Sequence, residues 1–213
     1  MFPIAKVIPV DELITEGIPL GNGVEDRDLQ ILATLARDRK RILEIGTMYG
    51  RTTLNLANAS PPDAVVTTVD IDMSNFRGVL ESRQIDPAIV AKIDIIEEDS
   101  RKFDFAAHGP WDYIFVDGWH STDVAYADSV NAYHNLVEGG ILVWHDFSDP
   151  GVCVAINALG VSLSQMGAYL GFTRKRAAKI HKKPAVISRM LRRVARDTNA
   201  LAAKIEEKGL HSL

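Results

Sequence analysis

The chain has 213 residues, 46% of them hydrophobic and 24% charged, with a formal net charge of −4. That is ordinary for a globular domain with a substantial core, and no apolar run approaches the roughly 18 residues of a membrane span. A single cysteine, Cys153, excludes an internal disulfide and does not by itself build a zinc site.

The net charge hides an asymmetry. Residues 1–173 carry 12 Lys+Arg against 25 Asp+Glu, a balance of −13, whereas residues 174–213 carry 12 against 3, a balance of +9. The leader, MFPIAKVIPVDELI, has two prolines and early acids where a signal peptide needs a basic start and an unbroken apolar stretch, so an unprocessed cytoplasmic protein is expected. The leader ends near Gly23. Asp26 or Asp28 then caps a predicted helix with Leu29, Leu32, Ala33 and Leu35 or Ala36 on its apolar side.

Five β-rich runs follow: RILEI (41–45), VVTTVD (65–70), IDIIEED (93–99), WDYIFVD ending at Asp117, and GILVWHDF (140–147). Between them lie helix-compatible segments, the clearest from Ser121 to Val137 with Val124, Ala127, Val130 and Val137 at helical spacing. This rhythm predicts an α/β fold, a Rossmann-like doubly wound and mainly parallel sheet covered by helices on both faces. A helix over Val152 to Gly160 and a short strand around Tyr169 to Arg174 close the domain, which spans residues 1–174. A basic helical extension is expected over 175–213, with Ile187, Leu191, Val194, Leu201 and Ile205 along one side after Pro184. It is expected to dock on an acidic surface, the body's own or that of a second copy, giving a homo-oligomer.

In such sheets ligands bind beyond the carboxyl ends of the strands. EIGTMYGRTT, from Glu44 to Thr53, leaves the first strand and opens a helix, so Gly46 and Gly50 would let the backbone turn and approach a ligand. Met48 stands where a dinucleotide fingerprint has its second glycine, which disfavours a pyrophosphate. Asp70 and Asp99 end the next two strands; the first is placed to accept from ribose hydroxyls and the second to meet a base. IFVDGWH and ILVWHDF then bring Asp117, His120, His145 and Asp146 to the same edge.

On these motifs the chain resembles the class I S-adenosylmethionine-dependent methyltransferases over about residues 41–174, with Glu44-x-Gly46-x-x-x-Gly50 as the first motif. The resemblance implies that Glu44 and the Gly46 loop, with Thr47 and Met48, hold the methionine part of S-adenosylmethionine, and Thr52 or Thr53 its carboxylate. It gives Asp70 or Asp72 the ribose and Asp99 with Ser100 the adenine, and it sets Asp117 beside the cofactor. The last two motifs resemble the metal-dependent O-methyltransferases of the catechol and caffeoyl-CoA type, and more closely the branch that methylates sugar hydroxyls of macrolides, whose strand-four motif is Asp-x-x-His. In that likeness Asp117, His145 and Asp146 hold a divalent metal, Mg²⁺ or Mn²⁺, and His120 is the general base toward a sugar, glycoside or other small polar hydroxyl. Histidine at 145, where an acid or amide is usual, either coordinates and softens the donor set or points away and supports the ligands from behind. Trp119 lies against adenine or acceptor, or packs the loop.

Two other readings compete. A dinucleotide-dependent oxidoreductase leaves Met48 and the His145-Asp146 pair without a purpose. A non-catalytic nucleotide-binding scaffold with an anion-binding tail is opposed by the acidic body, and no aromatic residue interleaves the tail's charges, so no nucleic-acid partner is expected.

Overall fold

The computed structural model describes residues 23–176. The leader before Gly23, the basic helix expected after Pro184 and its docking all lie outside the described residues. No helix among the described residues is long and apolar enough to cross a membrane.

In chain order the elements are α1 (Asp26–Ala36), β1 (Arg41–Ile45), α2 (Arg51–Ala59), β2 (Val65–Asp70), α3 (Ser74–Ser82), α4 (Pro87–Val90), β3 (Ile93–Glu97), α5 (Phe105–His108), β4 (Trp111–Val116), α6 (Thr122–Asn135), β5 (Leu136–Trp144), α7 (Pro150–Ala158), β6 (Ser164–Met166) and β7 (Leu170–Arg174). They build one seven-stranded sheet in the order β3-β2-β1-β4-β5-β7-β6. β1 to β5 are parallel, and β7 runs antiparallel to both β5 and β6. The order reverses beside β1, where β2 lies on one side and β4 on the other, so the crevice of a doubly wound sheet opens above β1 and β4.

Strand alternation divides the core. On β4, Tyr113 and Phe115 join Ile42, Val66, Ile141 and Val143 under Leu29 and Leu32 of α1 and Leu56 of α2. Ile114 and Val116 point the other way, with Leu43, Leu142 and Trp144, against Ala125 and Ala132 of α6 and Val152 and Ile156 of α7. Residues buried on both faces explain why these strands read as continuous apolar runs.

Three local expectations change. The buried stripe of α6 is Ala125, Asp128, Ser129, Ala132 and Tyr133, one helical step away from the valine stripe read from the sequence. Small residues let this helix lie close on the sheet, and Trp144 Nε1 donates to Ser129 Oγ at 2.9 Å, which satisfies two buried polar groups at once. Helix α6 ends at Asn135, and β5 begins at once, four residues before Gly140. Neither Asp26 nor Asp28 caps α1, whose N-cap is Glu25 without a side-chain bond. Asp28 is fully buried and accepts from the backbone N–H groups of Ala168 and Tyr169, tying α1 to the β6–β7 turn.

Candidate active site

The carboxyl ends of β1, β4 and β5 extend the sheet ladder by one residue each. Gly46 N–H donates to Val69 O, Asp117 N–H to Ile45 O, and His145 N–H to Val116 O, at 2.8–3.0 Å. Gly46 is left-handed, with φ +90°, and a Cβ there would stand 2.0 Å from the Asp117 carbonyl oxygen. Gly46 is therefore required by the neighbouring strand's backbone, rather than by the ligand-approach argument made from the sequence. Gly50 is likewise corrected: at φ +76° it precedes α2, a Cβ would strike the Phe76 ring, and it does not line the cleft.

A cleft of about 1320 Å³ opens above these strand ends. Of the residues expected to hold a cofactor, Glu44, Thr47, Met48, Thr52, Asp70, Asp99, Ser100 and Asp117 line it; so do His120 and Asp146. Thr53 and Asp72 do not. The Thr53 hydroxyl donates to Glu44 Oε2, behind the cleft wall, and the exposed Asp72 carboxylate accepts from Ser74 N–H at 2.8 Å at the start of α3. Asp70 accepts through Oδ2 from Thr47 N–H at 2.7 Å and Met48 N–H at 3.1 Å, so it holds the glycine loop in place. Met48 itself is left-handed at φ 50°. Asp99 accepts three bonds from Arg101, through the backbone N–H, Nε and a terminal nitrogen, and these hold its pKa down to about 2.

Glu44 is buried, and burial carries its pKa from 4.5 to about 8, against hydrogen bonds from Thr53 and Thr68 that favour the charge. Sequence reasoning missed Arg51, Ile71 and Arg101, and the Gly23–Arg27 segment, all of which line the cleft. Arg51 donates to Val24 O at 2.6 Å and pairs with Asp26, drawing that segment over the start of α2. Trp119, 75% exposed, also stands on the cleft. In all, nine carboxylates and three arginines line it, and two of those arginines, Arg51 and Arg101, are already paired with Asp26 and Asp99.

At the β4–β5 edge, Asp117, His120 and Asp146 each present a ligand atom within 4.8 Å of the others. His120 Nε2 lies 2.9 Å from Asp146 Oδ2. Gly151, at the start of α7, packs on the His120 carbonyl, where a Cβ would come within 2.2 Å. Asp146 holds a left-handed backbone at φ 49°, a strained conformation of the kind that clusters at functional sites. His145 is not on the cleft. From below, its Nδ1 stands 3.1 Å from both Asp117 Oδ1 and Asp146 Oδ2. Burial works against its charge, but bonds and charges from the two aspartates outweigh it and lift its pKa to about 10. In return, the bond from His145 holds Asp146 below the usual carboxylate range, whereas burial pushes Asp117 up. The three clustered donors are thus completed by His120, the expected base, and His145 braces the two carboxylates.

Residues 43–147 match the family model described as a methyltransferase domain. This stretch is a methyltransferase domain. It runs from β1 through Phe147 and contains every site residue named above except the Gly23–Arg27 segment and Gly151. A comparison with curated protein sequences gives no match. Among solved structures, the domain's fold is shared with an O-methyltransferase of tomaymycin synthesis from Streptomyces achromogenes in complex with S-adenosylmethionine, at 23% identity and a TM-score of 0.55 over 70% of this chain and 79% of that one. It is shared too with a Bacillus cereus O-methyltransferase in complex with S-adenosylhomocysteine, at 18% identity and a TM-score of 0.56 over 71% and 81%. A TDP-rhamnose 3′-O-methyltransferase of calicheamicin biosynthesis matches at 15% identity with a TM-score of 0.54, over 68% and 76%.

Proposed function

We propose that the methyltransferase transfers the methyl group of S-adenosylmethionine to a hydroxyl of a sugar, glycoside or other small polar metabolite, with His120 as general base and a divalent metal assisting. The observation that carries this reading is the meeting of Asp117, His120 and Asp146 on a cleft whose other wall is the Gly46 loop. The cleft's charge supports the cofactor. S-adenosylmethionine carries a sulfonium and an ammonium against one carboxylate, which suits nine acids and few free cations, whereas the pyrophosphate of a dinucleotide would meet repulsion. Buried Glu44 in particular gains from a cationic neighbour.

The donor set fits a hard or borderline cation such as Mg²⁺ or Mn²⁺, with Asp117 and Asp146 supplying carboxylate oxygens. When bound, such an ion lowers the pKa of a hydroxyl beside it. The chain's own residues do the rest. Asp146 holds His120 through Nε2, which leaves Nδ1 as the basic atom, and His145 keeps the two carboxylates from springing apart. The His120–Asp146 contact also favours a second reading, in which this dyad deprotonates the acceptor without a metal. The 15–23% likenesses to O-methyltransferases, one of them acting on a nucleotide-linked sugar, support the choice of acceptor class.

The test is calorimetry with S-adenosylmethionine and S-adenosylhomocysteine, followed by mass spectrometry on a panel of glycosides and phenols with Mg²⁺, with Mn²⁺ and with chelator. A methyl-mass gain that chelator suppresses supports the metal-assisted reading; a gain indifferent to chelator supports the dyad. Folded protein that gives no heat with either cofactor form sinks the proposal.

A further inference from the structure

The parallel strands give the domain two unlike ends. The cleft above their carboxyl ends holds nine carboxylates against three arginines. At their amino ends the balance is reversed. Arg37, Arg39 and Lys40 lead into β1, which opens with Arg41, and Lys92 stands just before β3. Antiparallel β7 brings Arg174, Lys175 and Arg176 to the same end, where the Lys175 backbone bonds to Gly139 and Gly140 at 2.9 Å. Arg41, Lys92 and Lys175 donate to carbonyl oxygens, of His108, of Ser60, and of His134 and Leu136, and none of the three sits in an ion pair among the described residues. The acids beside these strand starts are fewer. Asp63 pairs with Lys40, and Asp112 accepts from the backbone N–H groups of Lys40 and Arg41; the others are Asp38, Asp94 and Glu138. From this basic end the chain continues beyond Arg176. Residues 177–213 carry nine Lys+Arg against three Asp+Glu, and no aromatic residue. In their sequence Ile187, Leu191, Val194, Leu201 and Ile205 recur at helical spacing, and Arg189, Arg192, Arg193 and Arg196 fall on the opposite side of that pattern.

We propose that the amino-terminal end of the sheet, together with residues 177–213, binds an anionic lipid surface, with the cleft turned away from it. Each Lys or Arg brought close to acidic headgroups is attracted to them, and the attraction fades within a Debye length. An apolar stripe backed by arginines is the pattern of a segment that lies in the headgroup boundary, its leucines and isoleucines sunk and its charges toward water. Two observations choose lipid over other anionic partners. The stripe would have no use against a phosphate backbone, and without an aromatic residue the segment cannot stack on bases. The segment also departs from cations of the same sign, which repel it from the nearest surface of its own domain. The inference uses no property of the catalytic cluster.

The experiment is co-sedimentation of the full chain with phosphatidylcholine vesicles, with and without phosphatidylserine, at low and high salt. Binding to the phosphatidylserine vesicles alone, weakened by salt, is expected. Arg189→Glu, Arg192→Glu, Arg193→Glu and Arg196→Glu in one chain should weaken it by about a hundredfold or more. Arg174→Glu with Arg176→Glu, two exposed residues of the described end, should cost about tenfold, and so should Leu191→Ser, which alters no charge. S-adenosylhomocysteine affinity should be unchanged in all of them, because the cleft lies at the other end of the sheet. Should the fourfold variant fail to fold, the exposed pair and Leu191→Ser decide. Equal binding to both vesicles or to neither overturns the proposal, as does tighter binding to a single-stranded RNA oligonucleotide at the same phosphate concentration. Salt-sensitive self-association without vesicle binding also overturns it, by making a second copy the partner. Undiminished vesicle binding in the Arg174 and Arg176 pair would remove the described end from the surface. Wild type that gives no heat with S-adenosylhomocysteine sinks the cofactor reading and leaves the vesicle result to stand or fall by itself.

Discussion

The backbone of Gly46 runs so close to Asp117 that a single methyl group on Gly46 would lie 2.0 Å from the Asp117 carbonyl oxygen. The ends of β1 and β4 are thereby locked together, and the loop that lines the cleft after β1 is held against the strand that carries the acidic cluster. Gly46→Ala combines this clash with a left-handed backbone at φ +90°. It should cost about 2–4 kcal/mol of stability and abolish S-adenosylhomocysteine binding, as read by urea denaturation and calorimetry. A variant with wild-type stability would show that the two strand ends separate freely.

Glu44 makes stability pH-dependent in a direction opposite to most carboxylates. Its folded pKa of about 8 stands above the 4.5 of an exposed glutamate because burial disfavours the charge. The folded state therefore keeps a proton that the unfolded chain releases, and stability falls as pH rises from about 4.5 to 8, by at most about 1.4 kcal/mol per unit, then levels. Glu44→Gln should flatten that slope in the ligand-free protein, and urea titrations between about pH 5 and 9 compare the two.

His120 and Asp146 should separate chemistry from cofactor binding. His120→Ala is expected to slow methyl transfer by roughly 10² to 10⁴ with S-adenosylhomocysteine affinity retained, because proton transfer concerns the acceptor alone. Asp146→Asn keeps a residue tolerant of φ 49°. It should leave the melting temperature within a few degrees of wild type and weaken Mn²⁺ binding, measured by calorimetry or paramagnetic relaxation. Undiminished turnover in His120→Ala would show that another group takes the proton.

Asp28 secures the far end of the sheet. Asp28→Ala strands the N–H groups of Ala168 and Tyr169. A loss of about 2 kcal/mol is expected in denaturation, with faster amide exchange in β6 and β7. Protection that persists there would show the turn to be held by other contacts.

The sequence by itself determined the central strands, because β1, β2, β4 and the second half of β5 are buried on both faces and a doubly covered strand writes itself as an apolar run. It determined, too, that acids stand at or just beyond the carboxyl ends of strands, since a strand end is a local feature, and hence that Glu44, Asp70, Asp99, Asp117 and Asp146 line one cleft, although β3 stops at Glu97, two residues before Asp99. Whatever depends on a neighbour distant in the chain was decided only by the tertiary structure. Thr53 turned inward to Glu44, and His145 beneath two aspartates. Asp28 crossed to a turn about 140 residues away, and the buried side of α6 moved from its valines to Ala125, Asp128 and Ser129. In each case a polar group or a small residue is placed by what stands opposite it, and helical spacing or motif position carries no record of that partner.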